Sequence, residues 1–318
     1  VNNLQALDAK VASMVGDHVE TDTTLAVVVQ HHGEVVAEAY ADGVNADTTL
    51  ISWSMAKSIT HALVGMAQMD GLLDVQAPTG IASWQNDDRK LITLQHLLEM
   101  RSGLSWIEDY VDGNESDVID MLFGSGKEDH ATHAINHPLV NMPGSDWYYS
   151  SGTTNIVARL LGDALGDKNG SSDKTHTFMQ KRLFDAIGMR SATAQFDAAG
   201  TFVGSSYIYA SARDFAKFGE LYLRDGMCGT KRILPDGWVD HARAQTVIDD
   251  ETGQGYGAHW WTLPGEDGSL IASGYQGQQI YVLPTRDLVI VRLGITAAEK
   301  RGTVRDGLFE IVQMFSQG

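Results

Sequence analysis

At 318 residues the chain can bury a full core, as one large domain or two interleaved ones, and its 43% hydrophobic content is that of a soluble globular protein. The 41 Asp+Glu against 23 Lys+Arg leave a formal net charge of -18. Such a surface repels phosphate backbones and anionic lipid heads, so neither nucleic acid nor a membrane is expected as a partner.

The first segment, Val1 to Lys10, is polar and has neither a basic n-region nor an apolar h-region. No run approaches the roughly 18 apolar residues that span a bilayer. The default expectation is a cytoplasmic protein, with a leader removed ahead of Val1 left open. Leu25 to Gln30 and Glu34 to Tyr40 are β-rich runs around His31-His32-Gly33 and read as a hairpin. From Ser54 to Asp70, Met55, Ile59, Leu63, Met66 and Ala67 recur at helical spacing until Gly71 ends the run. From Leu91 to Leu223 the pattern is mostly helical, with helices expected over Thr93 to Met100, Thr153 to Leu165, Thr177 to Ile187 and Ala212 to Arg224. The lone cysteine, Cys228, follows in a Gly-Met-Cys-Gly turn and excludes an intrachain disulfide. Tyr256 to Leu263, Leu270 to Leu283 and Leu288 to Leu293 read as strands, with Pro284-Thr285-Arg286-Asp287 as the turn between the last two. Val304 to Phe315 reads as a closing helix. Strands at both ends with helices between predict an α+β fold. Its expected parts are an α/β domain with an antiparallel sheet over 1–75 and 225–318 and a mostly helical domain over 76–224, with the active site at their interface.

One tetrad carries chemistry: Ser54-Met55-Ala56-Lys57. In the first turn of a helix, residues i and i+3 share a face, so the Lys57 amine can reach the Ser54 hydroxyl. The helix N-terminus adds free N–H groups and a positive dipole end that favour an oxyanion. Serine needs a partner to take its proton, and a lysine serves when burial lowers its pKa. Alone, the tetrad reads rather as an N-cap serine followed by a surface lysine. No Gly-x-Ser-x-Gly elbow, His-Glu-x-x-His or phosphate loop competes with it. His130, His133 and His137 have a spacing that one helix face could present to a metal, but Pro138 ends the run and no metal is expected. Tryptophans such as Trp260 and Trp261 are expected in the core or a pocket wall.

Ser52 to Ser58 follows the hairpin region and opens an apolar helix, and Pro143-Gly144-Ser145-Asp146-Trp147-Tyr148-Tyr149-Ser150-Ser151-Gly152 lies further on, before a helix. With Ile92 to Leu104 between them and Tyr209 to Gly219 downstream, these four segments in order make the chain resemble the serine β-lactamase superfamily. The likeness is to class C β-lactamases, family VIII carboxylesterases and 6-aminohexanoate-oligomer hydrolases, and runs from about residue 25 to residue 315. The resemblance implies the α/β sandwich of the β-lactamase and penicillin-binding type. It also implies that Ser54 is the acylated nucleophile, Lys57 its proton partner and Tyr149 the tyrosine of a Tyr-x-Asn motif, preferred over Tyr148 by its spacing from Pro143-Gly144. Here that motif reads Tyr149-Ser150-Ser151, with Ser151 in the place of the asparagine. The family's Lys-Thr-Gly element falls on Ala272-Ser273-Gly274, where the cation that helps hold a β-lactam carboxylate is replaced by Ala272. Gly274 would let the strand approach the substrate, and the backbone N–H groups of Ser54 and Tyr275 would form the oxyanion hole. Ser151, Tyr110 and Gly274 are the expected substrate contacts, with an exposed acidic loop the alternative reading of Glu108-Asp109-Tyr110.

The function expected is hydrolysis of a small ester or amide through an acyl-enzyme, with no cofactor. Esters are expected ahead of β-lactams because of Ala272. An amidase acting on linear aminoacyl oligomers comes close behind, because Gly277-Gln278 follows the style of that branch. A β-lactamase or D-aminopeptidase is third. The reading from a different class is a non-catalytic binding protein on the same fold. The oligomeric state is not legible.

Overall fold

The computed structural model describes residues 3–15 and 22–318. Val1 and Asn2 of the polar amino-terminal stretch lie outside them. No helix among the described residues is long and apolar enough to cross a membrane.

The strands are β1 Asp22–His31, β2 Glu34–Tyr40, β3 Leu50–Ile51, β4 Thr193–Ala194, β5 Ile208–Ala210, β6 Met227–Cys228, β7 Lys231–Arg232, β8 Val247–Ile248, β9 Gly255–Tyr256, β10 Trp261–Thr262, β11 Leu270–Gly274, β12 Gln278–Leu283 and β13 Leu288–Thr296. The helices are α1 Leu4–Met14, α2 Ala56–Met69, α3 Leu94–Leu98, α4 Asp117–Phe123, α5 His130–Ile135, α6 Ser151–Leu165, α7 Asp173–Phe178, α8 Asp185–Ile187, α9 Ala212–Leu223, α10 Trp238–Arg243 and α11 Arg301–Gln313. This is an α+β fold.

The main sheet has eight antiparallel strands in the order β2-β1-β13-β12-β11-β10-β9-β8. His32 (φ 52°) and Gly33 (φ 79°) close the β1–β2 hairpin, the two positive angles that suit a tight turn between twisted strands. Because side chains alternate across a strand, β1 feeds two cores. Val27 and Val29 pack with Leu7 of α1 and Leu308 and Ile311 of α11 on one face. Ala26 and Val28 join Met55, Ile59 and Leu63 on the other. That second face, where α2 lies, is the one that positions the site.

Three expectations are refined. The run Tyr256 to Leu263 is two short strands, because His259 (φ 57°) turns the chain there and its N–H bonds to Leu98 O at 3.0 Å. The run Leu270 to Leu283 is a hairpin, turned by Gln276 (φ 66°) and Gly277 (φ 85°). The helix expected from Thr153 begins at Ser151, because the Ser150 side chain accepts from Thr153 N at 3.1 Å and caps it. Helices α1, α4, α5 and α10 are additions to the elements expected from periodicity.

Candidate active site

Ser54 stands in a 3₁₀ turn, Trp53–Met55, that leads into α2. Ser52 ties this turn to β5: its N–H donates to Ile208 O at 2.8 Å and its Oγ accepts from Ile208 N at 3.1 Å. The chain then bends through Trp53 at φ 43°, a left-handed conformation costly for a residue with a Cβ. Aromatic contacts with Tyr207 and Tyr275, at ring-centroid distances of 5.9 and 5.7 Å, hold that indole in place.

One turn on, Lys57 is fully enclosed. Its Nζ lies 2.9 Å from Ser54 Oγ, 3.0 Å from Ser151 Oγ and 3.0 Å from Ser205 O. Burial lowers its pKa to about 8, against the opposing pull of the Glu108 carboxylate. An ammonium here uses all three of its donors. Once the amine is neutral, the Ser54 contact can reverse and the hydroxyl can donate to nitrogen.

Tyr149 comes from the loop before α6. Its ring centroid is 4.8 Å from Lys57 Nζ, and it stacks on Trp261 at 5.7 Å. Burial and the Glu108 charge push the phenol far above the ordinary tyrosine range, with a hydrogen bond to Ser54 acting the other way. Tyr149 is therefore a protonated phenol at neutral pH. Tyr148 turns its ring to solvent, and its hydroxyl accepts from Glu108 N at 3.3 Å.

Glu108 organises this side of the site. Its Oε1 accepts from Trp106 Nε1 and from Ser151 N, each at 2.7 Å, and its Oε2 accepts from Ser151 Oγ at 2.7 Å and from the Tyr110 hydroxyl. Ser151 is thus buried between Lys57 and Glu108, behind the cavity wall. Behind Lys57, Asn155 donates to Ser205 Oγ at 3.0 Å and accepts from Ser205 N at 3.1 Å, which fixes the carbonyl that Lys57 meets. Asn155 is not among the candidates drawn from the sequence, and Glu108 entered only within the Glu108-Asp109-Tyr110 segment, with no role of its own. For Asn155 a signal existed: it sits four residues after Ser151, on the same face of α6.

On the opposite wall, β11 runs hard against the Ser52–Trp53 turn. A Cβ at Gly274 would lie 2.3 Å from Ser52 O, so only glycine allows this approach. Buried Arg292 donates from Nη1 to Gln276 O and Gly277 O at 3.0 Å each, fixing the turn that follows Tyr275. The resulting cavity, about 400 Å³, is lined by Ser54, Tyr110, Tyr149, Trp261, Gly274 and Tyr275 and extends to Arg301 and Arg305 of α11. Ala272 is buried in the core that contains α2. Of the residues expected from the sequence, the structure brings Ser54, Tyr149, Tyr110, Gly274 and Tyr275 to one cavity and sets Lys57 and Ser151 directly behind it. His130 Nδ1 meets Gly126 O at 3.0 Å, separating it from His133 and His137, which instead gather with Asp117.

The beta-lactamase family model matches residues 13–306. A 6-aminohexanoate-dimer hydrolase of Paenarthrobacter ureafaciens is 25% identical over 294 residues, covering 86% of this chain and 73% of its own. Among solved structures, one from Bacillus anthracis named for 6-aminohexanoate-dimer hydrolase superposes with a TM-score of 0.79 at 23% identity, covering 92% of this chain and 79% of that one. A D-stereospecific amidohydrolase from a Streptomyces species superposes with a TM-score of 0.67 at 15% identity, covering 92% and 94%. The chain belongs to the beta-lactamase family and is a serine hydrolase of that family.

Proposed function

We propose that the cavity hydrolyses small esters and linear amides by acyl transfer, with Ser54 as nucleophile, Lys57 as proton acceptor and Tyr149 as proton relay. The observation that carries this reading is the 2.9 Å contact between Ser54 Oγ and a fully buried Lys57 whose pKa is lowered to about 8. A useful fraction of neutral amine then exists near neutral pH. Ser54 Oγ attacks the carbonyl carbon and its proton passes to Lys57 Nζ. The oxygen that becomes negative faces the backbone N–H groups of Ser54 and Tyr275. The intermediate collapses with release of the alcohol or amine, which takes a proton through the Tyr149 hydroxyl. Water then attacks the acyl-enzyme and gives up its proton by the reverse route, returning Ser54 to its hydroxyl form. Tyr110 and Gly274 would contact the substrate, and Ser151 would act through Lys57.

β-Lactams are disfavoured, since buried Ala272 offers no cation for their carboxylate. Linear amides are favoured by the names of the relatives, a 6-aminohexanoate-dimer hydrolase and a D-stereospecific amidohydrolase. The test is hydrolysis of a short-chain p-nitrophenyl ester, then of a linear aminohexanoate dimer, by the wild type and by Ser54→Ala. Turnover lost in an alanine variant with unchanged circular dichroism supports the reading. Equal rates in the two proteins remove Ser54 from the mechanism.

A further inference from the structure

Away from the cavity lining, α4 and α5 bring together three side chains with no part in acyl transfer. Asp117 opens α4, His133 lies in α5, and His137 follows four residues later. One ligand atom from each lies within 4.8 Å of the other two. Three features of their hydrogen bonding point to a ligand. His137 Nδ1 lies 2.9 Å from the His133 carbonyl, so it carries the proton, and a neutral ring then turns an unprotonated Nε2 toward Asp117. That Nε2 lies 3.2 Å from Asp117 Oδ1, a contact between two lone pairs unless a cation or a second proton stands between them. His133 Nε2 is shielded from water and has no hydrogen-bond partner; its nearest carboxylate oxygen, Asp120 Oδ2, is 3.8 Å away.

We propose that Asp117, His133 and His137 bind one divalent transition-metal ion, of which Zn²⁺ is the natural example. Two imidazoles and one carboxylate suit a borderline ion, whereas Ca²⁺ and Mg²⁺ take oxygen ligands. With metal–ligand bonds of about 2.0–2.2 Å, neighbouring ligands of a tetrahedral ion stand about 3.4 Å apart. The Asp117–His137 edge, at 3.2 Å, is already near that length, and His133, whose ligand atom lies within 4.8 Å of both, would draw in to complete the set. The supporting contacts are in place: the His133 carbonyl holds the His137 tautomer, and Asp117 Oδ2 accepts from Ile107 N at 2.7 Å. Ile107 precedes Glu108, so the bound ion would brace the strap that carries Glu108 and Tyr110 to the cavity. The three histidines expected to bind nothing are thereby divided: His130 is satisfied inside the fold, and the other two recruit Asp117.

The test uses the full chain without a histidine tag, stripped with EDTA and titrated with Zn²⁺ by calorimetry. One equivalent is expected for the wild type, with a rise in thermal midpoint. His133→Gln/His137→Gln, which removes two of the three ligands, should lose stoichiometric uptake and with it that rise. Zinc-edge X-ray absorption on the loaded wild type should show two imidazoles and oxygen ligands, a readout that does not depend on a variant folding. Absence of stoichiometric uptake by the wild type overturns the proposal, as does a folded double variant that binds equally well or an absorption spectrum lacking two imidazoles.

Discussion

Glu108 Oε2 accepts a hydrogen bond from Ser151 Oγ at 2.7 Å, so this carboxylate stands one hydroxyl away from the Lys57 amine. Burial favours neutral Lys57, and the Glu108 charge favours the ammonium. Glu108→Gln removes only the second influence. The acidic limb of kcat/KM is expected to move to lower pH than in the wild type, with Ser151 still hydrogen-bonded to the amide. A pH–rate profile on one ester substrate checks this. A limb that stays where it was would mean that Glu108 acts through shape alone.

The wild-type profile should itself rise with pH through about 8, as Lys57 loses its proton. Lys57→Met should lower kcat by on the order of 10³-fold. Its stability should also respond differently to pH. Between about pH 8 and 10.5 the unfolded chain holds a proton on Lys57 that the folded chain has released, so stability rises with pH across that window. At about 1.4 kcal/mol per pKa unit, the wild type should gain about 3 kcal/mol relative to Lys57→Met. Urea titrations of both proteins at pH 7.5 and pH 10 measure the difference, and parallel behaviour would place the Lys57 pKa near its ordinary value.

What could be read from the sequence was what local geometry decides. Ser54 and Lys57 meet because i and i+3 share a face where the 3₁₀ turn runs into α2, and the β1–β2 hairpin follows from two residues that tolerate positive φ. Glu108 is different. Its role depends on meeting Ser151, 43 positions along the chain, and an acidic residue in a loop is otherwise indistinguishable from a solvated one. Ser205 is likewise a plain serine until Asn155 fixes its carbonyl toward Lys57. The break within Tyr256 to Leu263 escaped for a related reason. Its aromatic residues suit a strand, and only the approach of Leu98 forces His259 into a turn. Helix α1 buries only Leu7 and Val11 and leaves Leu4 exposed, so its apolar stripe is too short to stand out as an amphipathic pattern.

Gly274 offers a test of the cavity wall. Gly274→Ala would put a methyl group 2.3 Å from Ser52 O, which must push β11 away from the Ser54 turn. The Tyr275 N–H would move with it. A loss of kcat of about 10²-fold, as for a missing oxyanion donor, is expected together with about 1–3 kcal/mol of destabilisation. Kinetics and thermal melts of the same preparation separate the two effects. Unchanged kcat in a destabilised variant would remove the Tyr275 N–H from the reaction.

Beneath the site lie two buried histidines, His61 and His259, and a half-buried third, His241. His259 bonds to Leu98 O at 2.7 Å and to Thr154 Oγ1 at 2.8 Å, and burial lowers its pKa to about 3. His241, beside His61 at 3.0 Å, is lowered to about 4 by burial, and His61 is lowered well below its ordinary value by burial and by its two histidine neighbours. All three are neutral in the folded chain and charged in the unfolded chain below about pH 6.5. Over that window the unfolded state binds more protons, so stability falls as the pH falls. At pH 5 a group such as His259 should cost about 2 kcal/mol relative to pH 7. His259→Asn keeps a side chain able to hydrogen-bond without the titration, and should flatten the loss of thermal midpoint between pH 7 and pH 5 while being less stable at pH 7. If the variant loses stability in acid as steeply as the wild type, the sensitivity belongs to His61 and His241, and His241→Gln should then be the substitution that removes it.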